Sequence, residues 1–440
     1  MNDFIDSVKE CGVVGAGGAG FPTHVKLSAK AEFVIVNAAE CEPLIRVDQQ
    51  ILKYRTIEFL EGFNAVIKQT QAKKGYIAIK EKHVDVINIL VKELARYNNI
   101  EIYKLKDFYP AGDEQVTVYE VLKRIVPEGG IPLNVGCIVI NVETVLNIFN
   151  AINKIPVTKT FITITGDVKK PATYKLPIGI TYKDAIALCG TENIEGKVLI
   201  DGGPMMGKVI FDFNEPITKT TKAIILLDKD HSLIRRKTMS IEKRLKQSKA
   251  ACLQCARCTD LCPRNLLGHN VKPHIVMRVA NYGLKDFTGL NTALGCSECG
   301  ICELYSCPSD LSPRIINAEI KKEFAKAGFK IDNRDKKYEA SHMMDYRKIP
   351  VKRLIERLNL KKYDKDAPFE DIDYKFSKVT IRLRQHIGVP ADVVVLEGQA
   401  VSEGDIIARI GENKLGANIH ASISGVVTSI NSNEIIIEVE

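Results

Sequence analysis

Eight of the twelve cysteines in this 440-residue chain fall in one segment, as Cys252-x2-Cys255-x2-Cys258-x3-Cys262-Pro263 and, about thirty residues later, Cys296-x2-Cys299-x2-Cys302-x4-Cys307-Pro308. Three thiolates at this spacing can wrap one face of a cubane on a tight loop. A fourth, followed by proline, closes the cage from a separate turn and usually serves the other cluster. The spacing therefore assigns Cys252, Cys255, Cys258 and Cys307 to one [4Fe–4S] cluster, and Cys296, Cys299, Cys302 and Cys262 to a second. A structural zinc site would use two CxxC knuckles and leave the third cysteine of each run without a task. Disulfides need an oxidising compartment, of which the sequence gives no sign. The second run carries one extra residue before its last cysteine.

A chain this long exceeds one core and calls for about three domains. No run of eighteen apolar residues encodes a transmembrane helix. The N-terminus is acidic and glycine-rich where a signal peptide would be basic and then apolar, so a cytoplasmic location is expected. The net charge of +8 is spread, with enrichment at 235–249 and 321–362 and no interleaved aromatic residues. That pattern argues against nucleic acid and for a solvated face or an acidic protein partner.

The first informative stretch is Gly15-Ala-Gly17-Gly18-Ala-Gly20-Phe21-Pro22-Thr23, followed by a strand-like 33–37 and then Asn37-Ala-Ala-Glu40-Cys41-Glu42-Pro43. Dense glycine lets backbone amides approach a phosphate, so this is a nucleotide or flavin site in outline. The spacing also spells GxGxxG with Glu40 downstream, the signature of a Rossmann dinucleotide site. Against that, only an apolar stub precedes Gly15, and Pro22 interrupts the segment that should open a helix. Residues 76–80 read as a strand and 83–98 as an amphipathic helix, with Val84, Ile87, Leu90, Val91 and Leu94 on one face. Such alternation implies a mostly parallel α/β layer.

With Lys26 and the later Asn141-Val-Glu-Thr144, these motifs resemble the FMN- and NADH-binding subunit shared by respiratory complex I and the Rnf complex (RnfC). The resemblance implies Gly15, Gly17, Gly18, Lys26, Asn37, Glu40, Asn141 and Thr144 as FMN-contacting residues, and Phe21 and Glu42 as contacts for NADH. It also implies that the loop from Tyr109 to Gln115 covers the cofactor pocket, although the same residues read equally as a surface turn.

Within residues 155–230, Thr160–Val168 alternates with period two, turns at Pro171 and Pro177 and a short helix follow, and the whole is similar to the SLBB β-grasp domain of that family. From 379 onward, short strands with paired Glu-Gly turns resemble the barrel-sandwich hybrid of biotinyl and lipoyl carriers. The nearby Lys414 lacks a carrier lysine's usual neighbours, which implies a non-carrier version. His269 and His274 read as ordinary polar residues rather than metal ligands, and His386 and His420 read as hydrogen-bonding within the barrel, with a metal or an axial position of cobalamin as the alternative.

The expected fold is therefore multidomain, α/β and α+β. It comprises an FMN/NADH-binding domain at 1–153, an SLBB β-grasp domain at 154–233, a helical 2[4Fe–4S] ferredoxin-like module at 234–330, a charged linker at 331–378 and the barrel-sandwich domain at 379–440. The placement of the barrel at the C-terminus is similar to cobalamin reductases of propanediol-utilisation microcompartments. That resemblance implies electron transfer from NADH through FMN and two clusters to cobalamin. As partners it implies a corrinoid-handling protein such as an adenosyltransferase and a microcompartment shell protein, with enclosure in a bacterial microcompartment. An Rnf-like or proline-reductase-associated electron carrier with a protein acceptor, and a ferredoxin-like relay that binds no NADH, are the alternatives.

Overall fold

The computed structural model describes residues 2–329, 331 and 336–439. Met1, Lys330, residues 332–335 and Glu440 lie outside the described residues, and with them part of the junction expected at 330/331.

Apolar β-branched runs build the first sheet. Strands β1 (Phe33–Ala38), β2 (Lys74–Lys80), β3 (Ile100–Leu105) and, after the two-residue β4 (Phe108–Tyr109), β5 (Cys137–Asn141) give a parallel sheet in the order β3-β2-β1-β5. Val34, Ile35 and Val36 are wholly buried, as befits a parallel strand covered on both faces. Helices Thr56–Gln69 and Val142–Ile152 pack on one side, so close at Gly62 that a Cβ there would lie 2.6 Å from the Val145 carbonyl oxygen. The helix expected at 83–98 spans Val84–Leu94. It buries Val86, Ile87 and Leu90 and exposes Val84 and Val91, so its core stripe is narrower and rotated from the one expected. The glycine loop follows a helix, Asn2–Glu10, rather than a strand, which removes the Rossmann reading.

The second module is a mixed sheet of β6 (Lys159–Gly166), β7 (Ala172–Pro177), β8 (Lys197–Asp201), β9 (Lys208–Ile210) and β10 (Ala223–Asp228), with the helix Tyr182–Ala187 capped by the Thr181 hydroxyl. The central β6 and β10 are parallel neighbours, as in a β-grasp. The cysteine segment is helical and short-looped, with the helices Ile241–Ala251, Pro273–Tyr282 and Pro313–Lys326 around it.

The segment expected as a linker is tied into the body. β11 (Ile349–Pro350) pairs with β4, and β12 (Phe369–Glu370) extends the second sheet beside β7. Between them Leu354, Ile355, Leu358, Leu360 and Tyr363 are buried in a core shared with the second and cysteine modules. The last part forms two antiparallel sheets, one of Lys378–Arg382, Glu434–Glu438, Gly425–Ile430 and Ala400–Val401, the other of Asp392–Val393, Ile406–Arg409 and Ile419–His420. No helix among the described residues is long and apolar enough to cross a membrane.

Candidate functional site

The first sheet has one topological switch point. From β1 the chain moves outward through β2 to β3 and later returns to the other side of β1 as β5. Ligands of open parallel sheets bind outside the carboxyl ends of the strands at such a point. Asn37 and Asn141 are register partners at those two ends.

The glycine loop lies over this crevice. A bridge between Val14 and Pro22 and bonds from Gly15 N to Phe21 O (2.8 Å) and Gly20 N to Gly15 O (3.1 Å) close it. Thr144 Oγ1 accepts from Ala16 N at 2.9 Å, which ties the loop to the first turn of Val142–Ile152. Gly17 packs near Asn141, its would-be Cβ 3.5 Å from the Asn141 Cβ, while Gly18, at φ +104°, faces open space. Among the described residues the amides of Gly17, Gly18 and Ala19 donate no hydrogen bond within the protein, and all three residues are exposed. Consecutive free amides beside a helix N-terminus make an anion cradle, which fits the phosphate of FMN.

The polar side chains expected to touch flavin brace this crevice. Asn37 Nδ2 donates to Gly112 O (2.8 Å), which holds the 109–115 loop against β1, and Asn37 Oδ1 accepts from Ala39 N (3.2 Å). Lys26 Nζ donates to Val139 O (2.9 Å). Asn141 caps Val142–Ile152 through the Glu143 amide and donates to Asp48.

Glu40, at φ 37°, turns beneath the crevice and accepts from Asp48 N (2.7 Å) and Gln49 Nε2 (2.8 Å). Burial, with Asp48 beside it, raises its carboxyl to about 7. Asp48 is itself raised by burial, although Lys222 opposes this. Lys222 comes from the second module and pairs with both Glu143 (2.6 Å) and Asp48 (3.4 Å). Sequence reasoning singles out neither Asp48 nor Lys222, and it passes over Glu143 within the Asn141 to Thr144 motif.

Glu42 reaches the second module. Its carboxylate accepts from the amides of Met205 (2.9 Å) and Met206 (2.9 Å), in the turn between β8 and β9. Burial raises this carboxyl, and those amides hold it back. With both oxygens engaged, Glu42 fastens the flavin module to the second module. Phe21 stays half-buried at the end of the glycine loop.

The barrel-sandwich domain backs the loop from behind. Ile387 N donates to Gly20 O (2.9 Å), and Lys219 Nζ, wholly enclosed, bridges Gly12 O (2.7 Å) and Asn418 O (2.9 Å). Burial lowers that lysine to about 7.

The cysteines of the segment lie in two neighbouring groups. Cys252, Cys255, Cys258 and Cys307 line one cavity, with Leu253 and His274 beside them. Burial and the neighbouring Cys307, Cys252 and Cys255 push the Cys258 thiol up to about 12. In the other set burial raises Cys299, with Cys262 and Cys296 adding to it, and Cys302 is raised likewise. Among the described residues no His, Cys, Asp or Glu group converges on a single ion, whereas a cubane takes its ligands at separate corners.

Both loops share one backbone device. The residues flanking the middle cysteine have positive φ in each, Gln254 (51°) and Ala256 (61°) in the first, Glu298 (58°) and Gly300 (82°) in the second. The extra residue before Cys307 is absorbed as a π-helical turn, Cys302–Ser306, where the first run has the short α-helix Arg257–Asp260.

Their surroundings differ. The second set abuts the other modules: Tyr109 Oη donates to Cys299 O (2.6 Å), Arg264 pairs with Asp113 (2.9 Å), and Met205 packs on Gly300. The cavity of the first set is lined only by residues of the cysteine module, and Cys255 is exposed.

Comparisons with known proteins agree with this layout. The Nuo51 FMN-binding domain matches residues 8–150, the SLBB domain 161–209, the 4Fe-4S dicluster domain 251–312 and the RnfC barrel sandwich hybrid domain 352–439. The last match begins inside the segment expected as a linker. One component of the Na(+)-translocating ferredoxin:NAD(+) oxidoreductase complex of Acetobacterium woodii is 33% identical over 60% of this chain and 58% of its own. Cobalamin reductase PduS of Salmonella typhimurium strain LT2 is 41% identical over 98% of this chain and 95% of its own. PduS of Citrobacter freundii is 42% identical over the same shares, 98% and 95%. Similarity of that depth over nearly the whole of both chains means that this chain belongs to the PduS cobalamin reductase family.

Proposed function

We propose that the chain carries electrons from NADH, by way of FMN at the β1/β5 switch point and two [4Fe–4S] clusters, to cobalamin. The observation that carries this reading is the Tyr109 hydroxyl on the Cys299 carbonyl, which seats one cysteine set against the flavin module while the other faces outward. Bound FMN supplies the conversion of a two-electron hydride donor into single electrons that clusters accept.

The chain's own part is to bind, orient and exclude. The amides at Gly17 and Gly18 hold the phosphate, with the loop set by Gly15 and Thr144. Asn37, Asn141 and Lys26 fix the walls, and Phe21 offers a ring to the nicotinamide nucleotide. Glu40 and Asp48 place a buried acidic pair below the floor, and Lys222 balances it from the neighbouring module. The eight cysteines of the two sets are the cluster ligands, within modules bounded at 153/154, 233/234 and 378/379. No side chain is needed as nucleophile or general acid.

Cobalamin as acceptor is supported by the relatives at 41% and 42% identity, both of them cobalamin reductases. A corrinoid-handling partner such as an adenosyltransferase, contact with a shell protein and enclosure in a microcompartment belong to the same reading. The Acetobacterium relative supports a second reading, a protein acceptor in place of cobalamin.

The test is an anaerobic NADH titration of protein reconstituted with FMN, iron and sulfide, followed by optical and EPR spectroscopy, and then addition of cob(III)alamin. Flavin bleaching together with reduced-cluster signals supports the donor side, and reoxidation by cobalamin supports the acceptor. Clusters that dithionite reduces but NADH leaves untouched would make the chain a relay fed by another protein.

A further inference from the structure

The helix Ile241–Ala251 ends at Cys252, the first ligand of the outward-facing set. About 16 Å of helix thus leads directly to that cysteine. One side of it is buried through Arg244 and Ser248, and Ser248 O accepts from Asn281 Nδ2 (3.2 Å) on the neighbouring helix Pro273–Tyr282. The rest is open. Lys243, Lys246 and Lys249 are exposed on it, Arg257 stands just past Cys255, and Arg278 is exposed on the neighbouring helix. None of these five enters an ion pair among the described residues, and Glu242 is the one acidic residue of the helix.

Apolar groups are exposed on the same helix and loop. Leu253, between Cys252 and Cys255, is 71% exposed, and Ile241 and Leu245 expose a second apolar pair one turn apart on the helix. An exposed leucine on the loop that wraps a cluster, framed by unpaired lysines, has the layout of a protein interface with an apolar centre and a charged rim.

We propose that the Leu253 loop and the helix Ile241–Ala251 form the docking site for an acidic protein that presents the electron acceptor, bound cobalamin in the reading above, to the cluster of Cys252, Cys255, Cys258 and Cys307. The proposal rests on the assignment of that cysteine set as cluster ligands, and it names the kind of partner at the outward end of the path. Rim lysines steer such a partner and set the salt dependence of encounter, and Leu253 gives the contact its dry centre.

The experiment measures binding of a gallium-substituted plant-type ferredoxin, an acidic and redox-inert probe, to the full-length reconstituted protein under anaerobic conditions. Affinity should fall about tenfold in K243E/K246E/K249E, and fall steeply for wild type as salt approaches about 0.15 M and beyond. Leu253→Ser should weaken binding while leaving the salt slope unchanged. Lys183→Glu, on the β-grasp helix, should do neither. A triple Lys→Gln variant guards against misfolding of the reversal and should show an intermediate loss. The proposal is overturned if wild type does not bind the probe, if the triple variants bind like wild type, or if basic cytochrome c or duplex DNA binds as tightly as the ferredoxin. The readout uses neither NADH nor flavin, so it stands apart from the NADH titration, and iron content of the same sample reports separately on the cysteine assignment.

Discussion

The two cysteine sets are near-copies in sequence and in backbone, with positive φ at matching positions, yet they live in unlike surroundings. Cys262, Cys299 and Cys302 are buried under the flavin and β-grasp modules, whereas Cys255 is exposed at the far end. The difference teaches that the repeated motif specifies only the cage, while direction along the path comes from what each cage touches. Tyr109, Asp113 and Met205, none of them in the cysteine segment, make one set the inner one.

The sharpest way to break this comparison is to remove one cage at a time. Cys299→Ser and Cys255→Ser should each halve the bound iron. Dithionite should reduce the remaining cluster in both variants. NADH should reduce it only in Cys255→Ser, because Cys299→Ser removes the inner step; low-temperature EPR after NADH addition reads the contrast. Equal NADH reduction in both would abolish the distinction between inner and outer.

Next in size is the tie between the two cages. Arg244, on the helix leading to Cys252, pairs with Glu303 beside Cys302 at 2.7 Å, and both side chains are almost fully buried. Arg244→Met leaves a buried carboxylate unpaired and should cost about 3–5 kcal/mol. Chemical unfolding followed by loss of the cluster absorbance at both sites measures it.

A smaller effect belongs to the inner seam alone. Tyr109→Phe leaves the Cys299 carbonyl without its donor and should cost about 1–3 kcal/mol. It should shift the EPR line of the inner cluster and spare the outer one.

A further effect should touch neither cage. Glu40 is raised to about 7, so between its unfolded value near 4.5 and pH 7 the folded state holds a proton that the unfolded state has lost. Stability therefore declines as pH rises through that window and levels off above it. Glu40→Gln should flatten the decline in a series of thermal melts, with both EPR signals unchanged.

What is legible in the sequence is what local chemistry writes locally. A cage needs its cysteines at fixed offsets, and a phosphate cradle needs bare glycine amides, so both sets and the Gly15 to Gly20 loop stand out in the bare chain. The placement of Asn37 and Asn141 at one crevice follows from their strand ends. Lys222, Asp48 and Tyr109 carry no local signature, because their roles depend on a partner more than a hundred residues away or in another module. Glu42 belongs with them in part. Its position in a flavin-like motif suggests a nucleotide contact, while its tie to the turn at Met205 and Met206 carries no local signature. The apolar face of Val84–Leu94 departs from expectation for a related reason, since periodicity locates a stripe but not its width.

The strands β11 and β12 have a consequence for the C-terminal domain. Carrier domains of this architecture travel, ferrying a group between distant sites on a loose tether. Here the tether is woven into two sheets, and the domain at its end is berthed by Lys219 against Gly12 and by Ile387 against Gly20. A scaffold familiar as a swinging arm has become a fixed buttress, and the moving part of this protein's work is left to the electrons.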